Sequence, residues 1–453
     1  MLNDFLLTLK GKSVSIIGAG VSNTPLIRML WDIAALTVHD KKKEEDFDPE
    51  FLAELKLHNV KLVTGDGYLD EIYGDVIFRT PGVRPDVPAL ERAKARGSVV
   101  TSEMDVFFSL CPCPITAITG SDGKTTTSTL VSEMYKAQGF TVHLGGNIGT
   151  PLLPRLDEIS AEDRVVVELS SFQLMDMTHS PHIAIVTNVT PNHLDWHRGM
   201  DEYTEAKERL LQKQTQSDIC ILNLDDPTTR QFAQRAQAKV GFFSMSKQEK
   251  GFSFDGENLL RDGKAFLKAS ELRIPGKHNI ANFLAASAAV CGEVSEEALI
   301  SVAKNFTGVE HRIEFVRELD GVKYYNDSIA SSPTRAAAAL ACFENIILIA
   351  GGYDKKIAFD QLGELICQKV DKLLLCGVTA QQIKDAVIKA PCQRKPEIII
   401  FPNLTDTILT ARKLAKSGDV VLFSPACASF DQFVNFAVRG RFFKDVVNSL
   451  KEV

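Results

Sequence analysis

Three features that would mark common partners are missing from this chain. The 453 residues carry a formal net charge of −7, and no dense basic run appears beyond Lys41-Lys42-Lys43, so the electrostatic footprint of a nucleic-acid binder is absent. No apolar run approaches the ~20 residues that a membrane helix needs, so membrane insertion is not expected. The nine cysteines are scattered, and the closest pair, Cys111 and Cys113, has no second pair or histidine cluster at zinc spacing. That usage reads as a reduced chain. The N-terminal stretch MLNDFLLTLKGKSVSIIGAG contains Asp4 and no small-residue cleavage site, which does not fit a secretory signal. A cytoplasmic location is the resulting expectation. Tandem repeats and low-complexity segments are also lacking, which excludes solenoids.

What is present is a globular composition, 45% hydrophobic and 24% charged, over a length that suggests about three domains at ~150 residues each. In residues 1–101, the β-branched run Ser13 to Ile17 ends in Gly18-Ala19-Gly20. A helical pattern to Leu30 and a strand Leu36 to His39 closed by Asp40 follow. This strand, tight turn, helix, strand order begins a parallel sheet, continued at Val60–Leu62 and Asp75–Phe78. The dinucleotide fingerprint would place Gly or Ala where Asn23 stands, which weakens a nicotinamide reading. Residues 102–308 hold strands at Ile115–Ile118, Val165–Glu168 and Ile183–Thr187, each running into a polar cluster. Residues 309–453 alternate strands at Lys323–Tyr325, Ile346–Ala350, Lys372–Leu375, Ile398–Phe401 and Val420–Phe423 with helical patterns. The expected architecture is three consecutive α/β domains, Rossmann-like at the N-terminus, P-loop ATPase-like in the centre and Rossmann-like at the C-terminus.

The central chemistry lies in ITGSDGKTTTSTL. The common phosphate loop, G-x-x-x-x-G-K-[ST], would want glycine at position 118, where this chain has Ile118; the loop here is shortened to Gly120-Ser121-Asp122-Gly123-Lys124-Thr125. Backbone N–H groups at a helix start attract phosphate, Lys124 adds positive charge, and the Thr125 hydroxyl is a magnesium ligand type. Glu168 ends an apolar strand, where a carboxylate needs a partner: it is either a magnesium ligand or a cap for the next helix. His193 is a loop histidine, a metal ligand or a substrate contact; with His197 it makes an i, i+4 pair, but no third soft ligand is near, so zinc is discounted. Lys207, in DEYTEAKERLL, reads from its charged neighbours as a solvated lysine. Asn279 and Asn282 share a helical face and suit either a nucleobase edge or a helix cap. Asp327 follows a strand, and Ser332-Pro333 reads as a helix N-cap. Cys427 reads as a small buried cysteine, not a nucleophile, because no base accompanies it.

Together, TGSDGKTT from Thr119, GGNIGTPL from Gly145, VELSSFQL from Val167, NVTPNHLD from Asn188, YTEAK ending at Lys207, GKHNIANFLAA from Gly276, EHRIE from Glu310 and NDS from Asn326 resemble the Mur ligase family, in the family's order across nearly the whole chain. SPACASFDQF from Ser424 resembles the members that add D-glutamate. The resemblance implies ATP-dependent amide formation in peptidoglycan assembly. ATP would phosphorylate the alanine carboxylate of UDP-N-acetylmuramoyl-L-alanine, and the amine of D-glutamate would displace the phosphate. It further implies that Gly120, Ser121, Asp122, Gly123, Lys124, Thr125 and Thr126, with Asn279, Asn282, Arg312 and Asp327, bind ATP. Thr125, Glu168, His193 and Lys207 would hold Mg2+, Lys207 as a carbamylated lysine, and Lys124, His193 and Lys207 would be catalytic. Val21, Ser22, Asp40 and Gly82 fall where the uridine nucleotide binds. Asn147, Ser170, Gln173 and His193 fall at the sugar-alanine part, and Lys355, Ser429, Phe430 and Phe436 at D-glutamate. Some members carry lysine where Ile329 stands, so Lys355, Lys356 or Arg335 would supply that charge. Two alternatives remain on the sequence: a ligase of the same family with another amino acid or a folate as substrate, and a nucleotide switch without ligation.

Overall fold

The structure is a computed structural model describing residues 1–392 and 394–452. It contains three mostly parallel sheets. The first comprises β1 (Ser13–Ile17), β2 (Ala35–Asp40), β3 (Lys61–Thr64), β4 (Val76–Phe78) and β5 (Val99–Thr101) in the order β3-β2-β1-β4-β5, all parallel. Strand β1 is buried along nearly its whole length because helices cover both faces of such a sheet. The strand order reverses between β1 and β4, which places a crevice beyond their carboxyl ends.

The second sheet holds β6 (Ile115–Thr119), β7 (Val142–Gly146), β8 (Arg164–Glu168), β9 (Ile183–Val186), β10 (Ile219–Asn223), β11 (Lys239–Ser244), β12 (Phe252–Phe254), β13 (Asn258–Arg261) and β14 (Lys264–Lys268). Its order is β14-β13-β12-β11-β10-β9-β6-β8-β7, so β6 lies between β8 and β9 and the loops after these three strands open on the same edge. All five residues of β6 are buried. The antiparallel β12-β13-β14 edge turns at Asp255-Gly256 and Asp262-Gly263, an Asp-Gly chemistry suited to tight hairpins.

The third sheet holds β15 (Glu314–Leu319), β16 (Val322–Asn326), β17 (Ile346–Ala350), β18 (Val370–Cys376), β19 (Glu397–Phe401) and β20 (Val420–Phe423) in the order β15-β16-β20-β17-β18-β19. Among the described residues, only the β15-β16 pair of this sheet is antiparallel.

The chain forms two compact units, Met1–Ala269 with Ile280–Val302 and Ser270–Asn279 with Ala303–Val453. Within the first, one apolar core continues from the first sheet into the second through Met104 and Phe107 of the Glu103–Leu110 helix and through Leu152 and Leu153. The second unit carries its own cores on the two faces of its sheet. Among the described residues, no helix is long and apolar enough to cross a membrane.

The reduced-chain expectation is corrected at one pair. Cys367 and Cys392 form a disulfide with their Cα atoms 6.3 Å apart. Packing of the Asp360–Lys369 helix against the Ala380–Lys389 helix brings together residues whose spacing in sequence gives no such signal. Ser332 stands at the expected N-cap position of the Pro333–Leu340 helix, with Pro333 in the first turn, and what is missing is the capping bond; the Ser332 hydroxyl meets that of Thr334 at 3.1 Å.

Candidate active site

The shortened loop connects β6 to the Lys124–Gln138 helix. Gly120 and Gly123 have φ of +150° and +80°, and a Cβ at these positions would strike the Thr187 hydroxyl and the Asn282 side chain respectively. Glycine is therefore required twice, for backbone conformation and for space. The segment directly after β9 supplies the support: Thr187 Oγ1 donates to the Asp122 carbonyl at 2.6 Å, and the Asn188 side chain accepts from Asp122 N–H at 3.0 Å. Ser121 Oγ donates to the Thr190 carbonyl and meets the Tyr203 hydroxyl at 2.9 Å. Lys124 Nζ donates to the Gly120 and Ser121 carbonyls, both at 2.9 Å. Thr125 is half-buried, Thr126 is buried, and Asp122 is exposed. Thr127 Oγ1 donates to Asn282 Oδ1 at 3.4 Å, setting the helix face that carries Asn282 beside the loop.

Lys207 reverses the solvated-lysine reading that its charged neighbours suggested. It is 1% exposed on the Met200–Glu208 helix, its amine donates to the Gly120 carbonyl at 2.8 Å, and it lies 4.4 Å from the centre of the Tyr203 ring. Burial pushes its pKa well below the ordinary lysine value, and the nearby Lys124 charge pushes in the same direction. Two lysines thus converge on one carbonyl, with the buried one favoured as a neutral amine.

Glu168 is buried at the end of β8. Its Oε1 accepts from Asn147 Nδ2 at 2.8 Å, while Oε2 has no hydrogen-bond partner among the described residues. The capping alternative falls away, because Ser170 and Gln173 make a reciprocal capping box at the start of the short Ser171–Leu174 helix. A buried carboxylate oxygen without a partner is costly unless a cation answers it. His193 is exposed, has φ of +54°, and packs edge-on to Phe172 with ring centres 4.9 Å apart. Burial of part of its ring lowers its pKa, with smaller contributions from Lys124 and Lys207. His197 instead turns inward to Ser171 Oγ at 2.9 Å and to Glu202 at 3.3 Å. Among the described residues, no three His, Cys, Asp or Glu side chains gather as a metal cluster. The donor set at this edge is instead a hydroxyl, a carboxylate, an imidazole and a buried amine.

At the crevice of the first sheet, Asp40 accepts from the Ala19 and Lys42 N–H groups, each at 2.8 Å, and so fixes the glycine turn. Asn23 is buried, and its amide donates to the Ile17 and Gly18 carbonyls. The side chain thus fills space that the dinucleotide motif keeps for glycine. Val21 and Gly82 are exposed, and Ser22 is half-buried.

In the second unit, Asp327 is buried, accepts from Ser424 Oγ at 2.7 Å and from Ile313 N–H at 3.2 Å, and is pushed up to about 7 by burial. Asn279 is buried and donates to the Pro275 carbonyl. Arg312 is half-buried in the turn before β15. Ser429 is buried, and Phe430 and Phe436 are exposed, with Phe430 edge-on to Tyr353 and Phe436 to His311. Of the basic residues near Ile329, Lys355 is exposed, Lys356 pairs with Asp354 at 3.4 Å, and Arg335 donates to the Ile329 carbonyl at 3.4 Å. Cys427 is buried beside the Thr379 hydroxyl, as expected of a packing cysteine.

Sequence reasoning missed three arginines. Arg79 is buried, pairs with Asp176 and donates to the Val83 and Phe172 carbonyls. Arg84 engages Asp86 and Glu202. Arg439 is buried and donates to the Ala428, Cys427 and Ser328 carbonyls, which fixes the SPACAS turn. The available signal for Arg79 was a cation directly after the apolar strand β4; for Arg439 there was none.

Comparison with known proteins adds to this geometry. The Mur ligase middle domain matches residues 118–290, and the Mur ligase, glutamate ligase domain matches residues 311–427. The chain is 49% identical to UDP-N-acetylmuramoylalanine--D-glutamate ligase of Acetivibrio thermocellus over 99% of each chain. It is 46% identical to the protein of the same name from Clostridium acetobutylicum, again over 99% of each. Among solved structures, the UDP-N-acetylmuramate-alanine ligase of Thermotoga maritima superposes with a TM-score of 0.58 at 19% identity, covering 97% of this chain and 100% of that one.

Proposed function

The chain belongs to the Mur ligase family, and within it we propose an ATP-dependent ligase that joins D-glutamate to UDP-N-acetylmuramoyl-L-alanine, releasing ADP and phosphate. The observation that carries this reading is the buried Lys207 amine on the carbonyl of the first loop glycine. A nucleotide switch has no need of a second, buried lysine there. A free carboxylate is a poor acyl donor because its oxygen leaves badly, and phosphorylation converts that oxygen into a stable leaving group. The D-glutamate amine then attacks the acyl carbon, and phosphate departs.

On this reading residues 1–101 take the uridine end, with Val21, Ser22, Asp40 and Gly82 as its contacts. Residues 102–308 hold the ATP phosphates on Gly120 to Thr126, where N–H groups and the helix start favour anions. Lys124 stabilises charge on the transferring phosphoryl group. Asn147, Ser170, Gln173 and His193 meet the sugar-alanine part. Residues 309–453 take D-glutamate through Lys355, Ser429, Phe430 and Phe436. Asn282, Asn279, Arg312 and Asp327 are assigned to the nucleotide. The unpartnered Oε2 of Glu168 fits a cation, so Glu168, Thr125, His193 and Lys207 would hold Mg2+, which neutralises phosphate oxygens when bound. A neutral Lys207 amine would add carbon dioxide to give a carbamate anion and a proton, so that the side chain offers oxygen ligands in place of an amine. Its lowered pKa supports that chemistry. A cytoplasmic location belongs to the same proposal.

The test is phosphate release from ATP and UDP-N-acetylmuramoyl-L-alanine with D-glutamate, L-glutamate or no amino acid, in the intact protein and in Lys124→Ala. Release that requires D-glutamate and collapses in the variant supports the reading. Release indifferent to both substrates, or L-glutamate activity on a folate, overturns it.

A further inference from the structure

The segment Thr80–Asp86 that follows β4 carries Gly82, assigned above to the uridine end, and Arg84, to which no role has been given. The Arg84 guanidinium uses a full set of donors. Nε and Nη2 bond the two Asp86 oxygens at 2.9 and 3.0 Å, Nη1 and Nη2 bond the two Glu202 oxygens at 2.9 and 2.7 Å, and Nη1 also reaches the Trp196 carbonyl at 2.9 Å. The same group lies 5.0 Å from the centre of the Trp196 ring, and Trp196 Nε1 donates back to the Gly82 carbonyl at 3.5 Å. Five N–H groups in one plane therefore join three chain segments, a geometry that lysine cannot reproduce.

Two of those segments lead into the chemistry. Trp196 N–H and His197 N–H both donate to the His193 carbonyl, so holding the Trp196 carbonyl fixes the turn that presents His193 at positive φ. Glu202 sits in the first turn of the helix that carries Lys207, and it also accepts from Arg198 N–H at 2.8 Å. The Phe172 ring packs on both His193 and Trp196, with ring centres 4.9 and 4.5 Å away. Arg84 thus lies on a continuous path from the Gly82 loop to His193 and to Lys207, whose amine reaches the phosphate loop.

We propose that Arg84 is a positioning residue for acyl phosphorylation: through Glu202 and the Trp196 carbonyl it sets the places of Lys207 and His193, and through its own loop it links them to binding of the uridine end. This rests on the function proposed above. Losing the guanidinium leaves Glu202 only the Arg198 N–H and His197, leaves Asp86 only the Arg198 side chain at 2.6 Å, and takes this donor from the Trp196 carbonyl; small displacements of positioned groups cost roughly a hundredfold in rate.

The experiment compares wild type, Arg84→Ala, Arg84→Lys, Glu202→Gln and Arg84→Ala/Glu202→Gln by thermal melting, ATP affinity and steady-state kinetics. The expected result is a kcat for Arg84→Ala lowered by roughly a hundredfold, a raised KM for the UDP substrate, and unchanged KM for D-glutamate and ATP affinity. Arg84→Lys recovers less than tenfold of roughly that loss, and the double variant is no worse than Arg84→Ala, because both changes break one linkage. A folded Arg84→Ala enzyme with kcat near wild type, full recovery by lysine, or multiplying losses in the double variant would overturn the positioning role while leaving the ligase intact. If Arg84→Ala does not fold, Glu202→Gln carries the same kcat and KM comparison. A wild-type protein with no D-glutamate-dependent release would overturn the functional reading, and this inference with it.

Discussion

Replacing Lys207 with methionine separates what the residue does for stability from what it does for chemistry. Methionine keeps the apolar stem in place and removes the amine. The change loses the hydrogen bond to the Gly120 carbonyl, worth about 1 kcal/mol, but that carbonyl still accepts from Lys124 at 2.9 Å. It also removes a buried polar group whose desolvation costs about 1–3 kcal/mol. On these two contributions alone the balance favours the variant by about 1 kcal/mol, and deprotonating a lysine that is charged in the unfolded chain adds to the wild type's cost below pH ~10.4. The pH dependence has a definite sign. The unfolded chain's lysine titrates near ~10.4, while the native pKa is lower, so between the two values the unfolded state binds the extra proton and native stability rises with pH. Wild type should therefore gain on Lys207→Met as pH rises from the lowered native pKa toward the unfolded value of ~10.4. Thermal melting in carbon-dioxide-free buffer reads this, and ligation by the variant should be lost. A variant less stable than wild type near pH ~7, with a gap that does not change with pH, would refute the assignment of a neutral buried amine.

Gly123→Ala should abolish ATP binding measured by calorimetry, since its Cβ meets Asn282 and its φ of +80° is unfavourable for alanine. Asp327, with a folded pKa of about 7 against 3.8, stabilises relative to its charged form below pH ~4 and loses that contribution as pH rises through the folded value. The upper bound is about 4 kcal/mol, and Asp327→Asn should flatten this part of the nucleotide-free stability profile between about pH 4 and 7, read by denaturant melts. Cys367→Ser, or reduction of wild type, should lower the melting temperature of the second unit. A loop of this separation, 25 residues, gives about 3.5 kcal/mol on the chain-entropy argument. Equal melting with and without reductant would contradict it.

The sheets were legible where strands are short, apolar and punctuated. Strands β17 and β20 fall on the residues read from the sequence, and β1 ends at the glycine turn as expected. The antiparallel edge β12 to β14 was not read, although its two Asp-Gly turns were the available signal. The phosphate loop was legible because its chemistry is local: strand, glycines, lysine and helix lie within a few residues of one another. Lys207 was legible only through the family resemblance and not from its own surroundings, because its sequence neighbours Glu205 and Glu208 are charged, while the partner that defines it, Gly120, lies 87 residues away. Arg84 shares that fate, with Glu202 at a separation of 118. Asn23 shows the reverse case, a departure from a motif that the structure explains by the amide taking up the space and two carbonyls.

Transfer of oxygen from substrate to phosphate tests the central claim most directly. UDP-N-acetylmuramoyl-L-alanine labelled with oxygen-18 in its terminal carboxylate would be turned over with ATP and D-glutamate, and the released phosphate examined by mass spectrometry. The account predicts one labelled oxygen in each phosphate, because that oxygen leaves with the phosphoryl group when the amine attacks. Unlabelled phosphate beside D-glutamate-dependent product would contradict the acyl phosphate, and unlabelled phosphate without product would contradict the ligase itself.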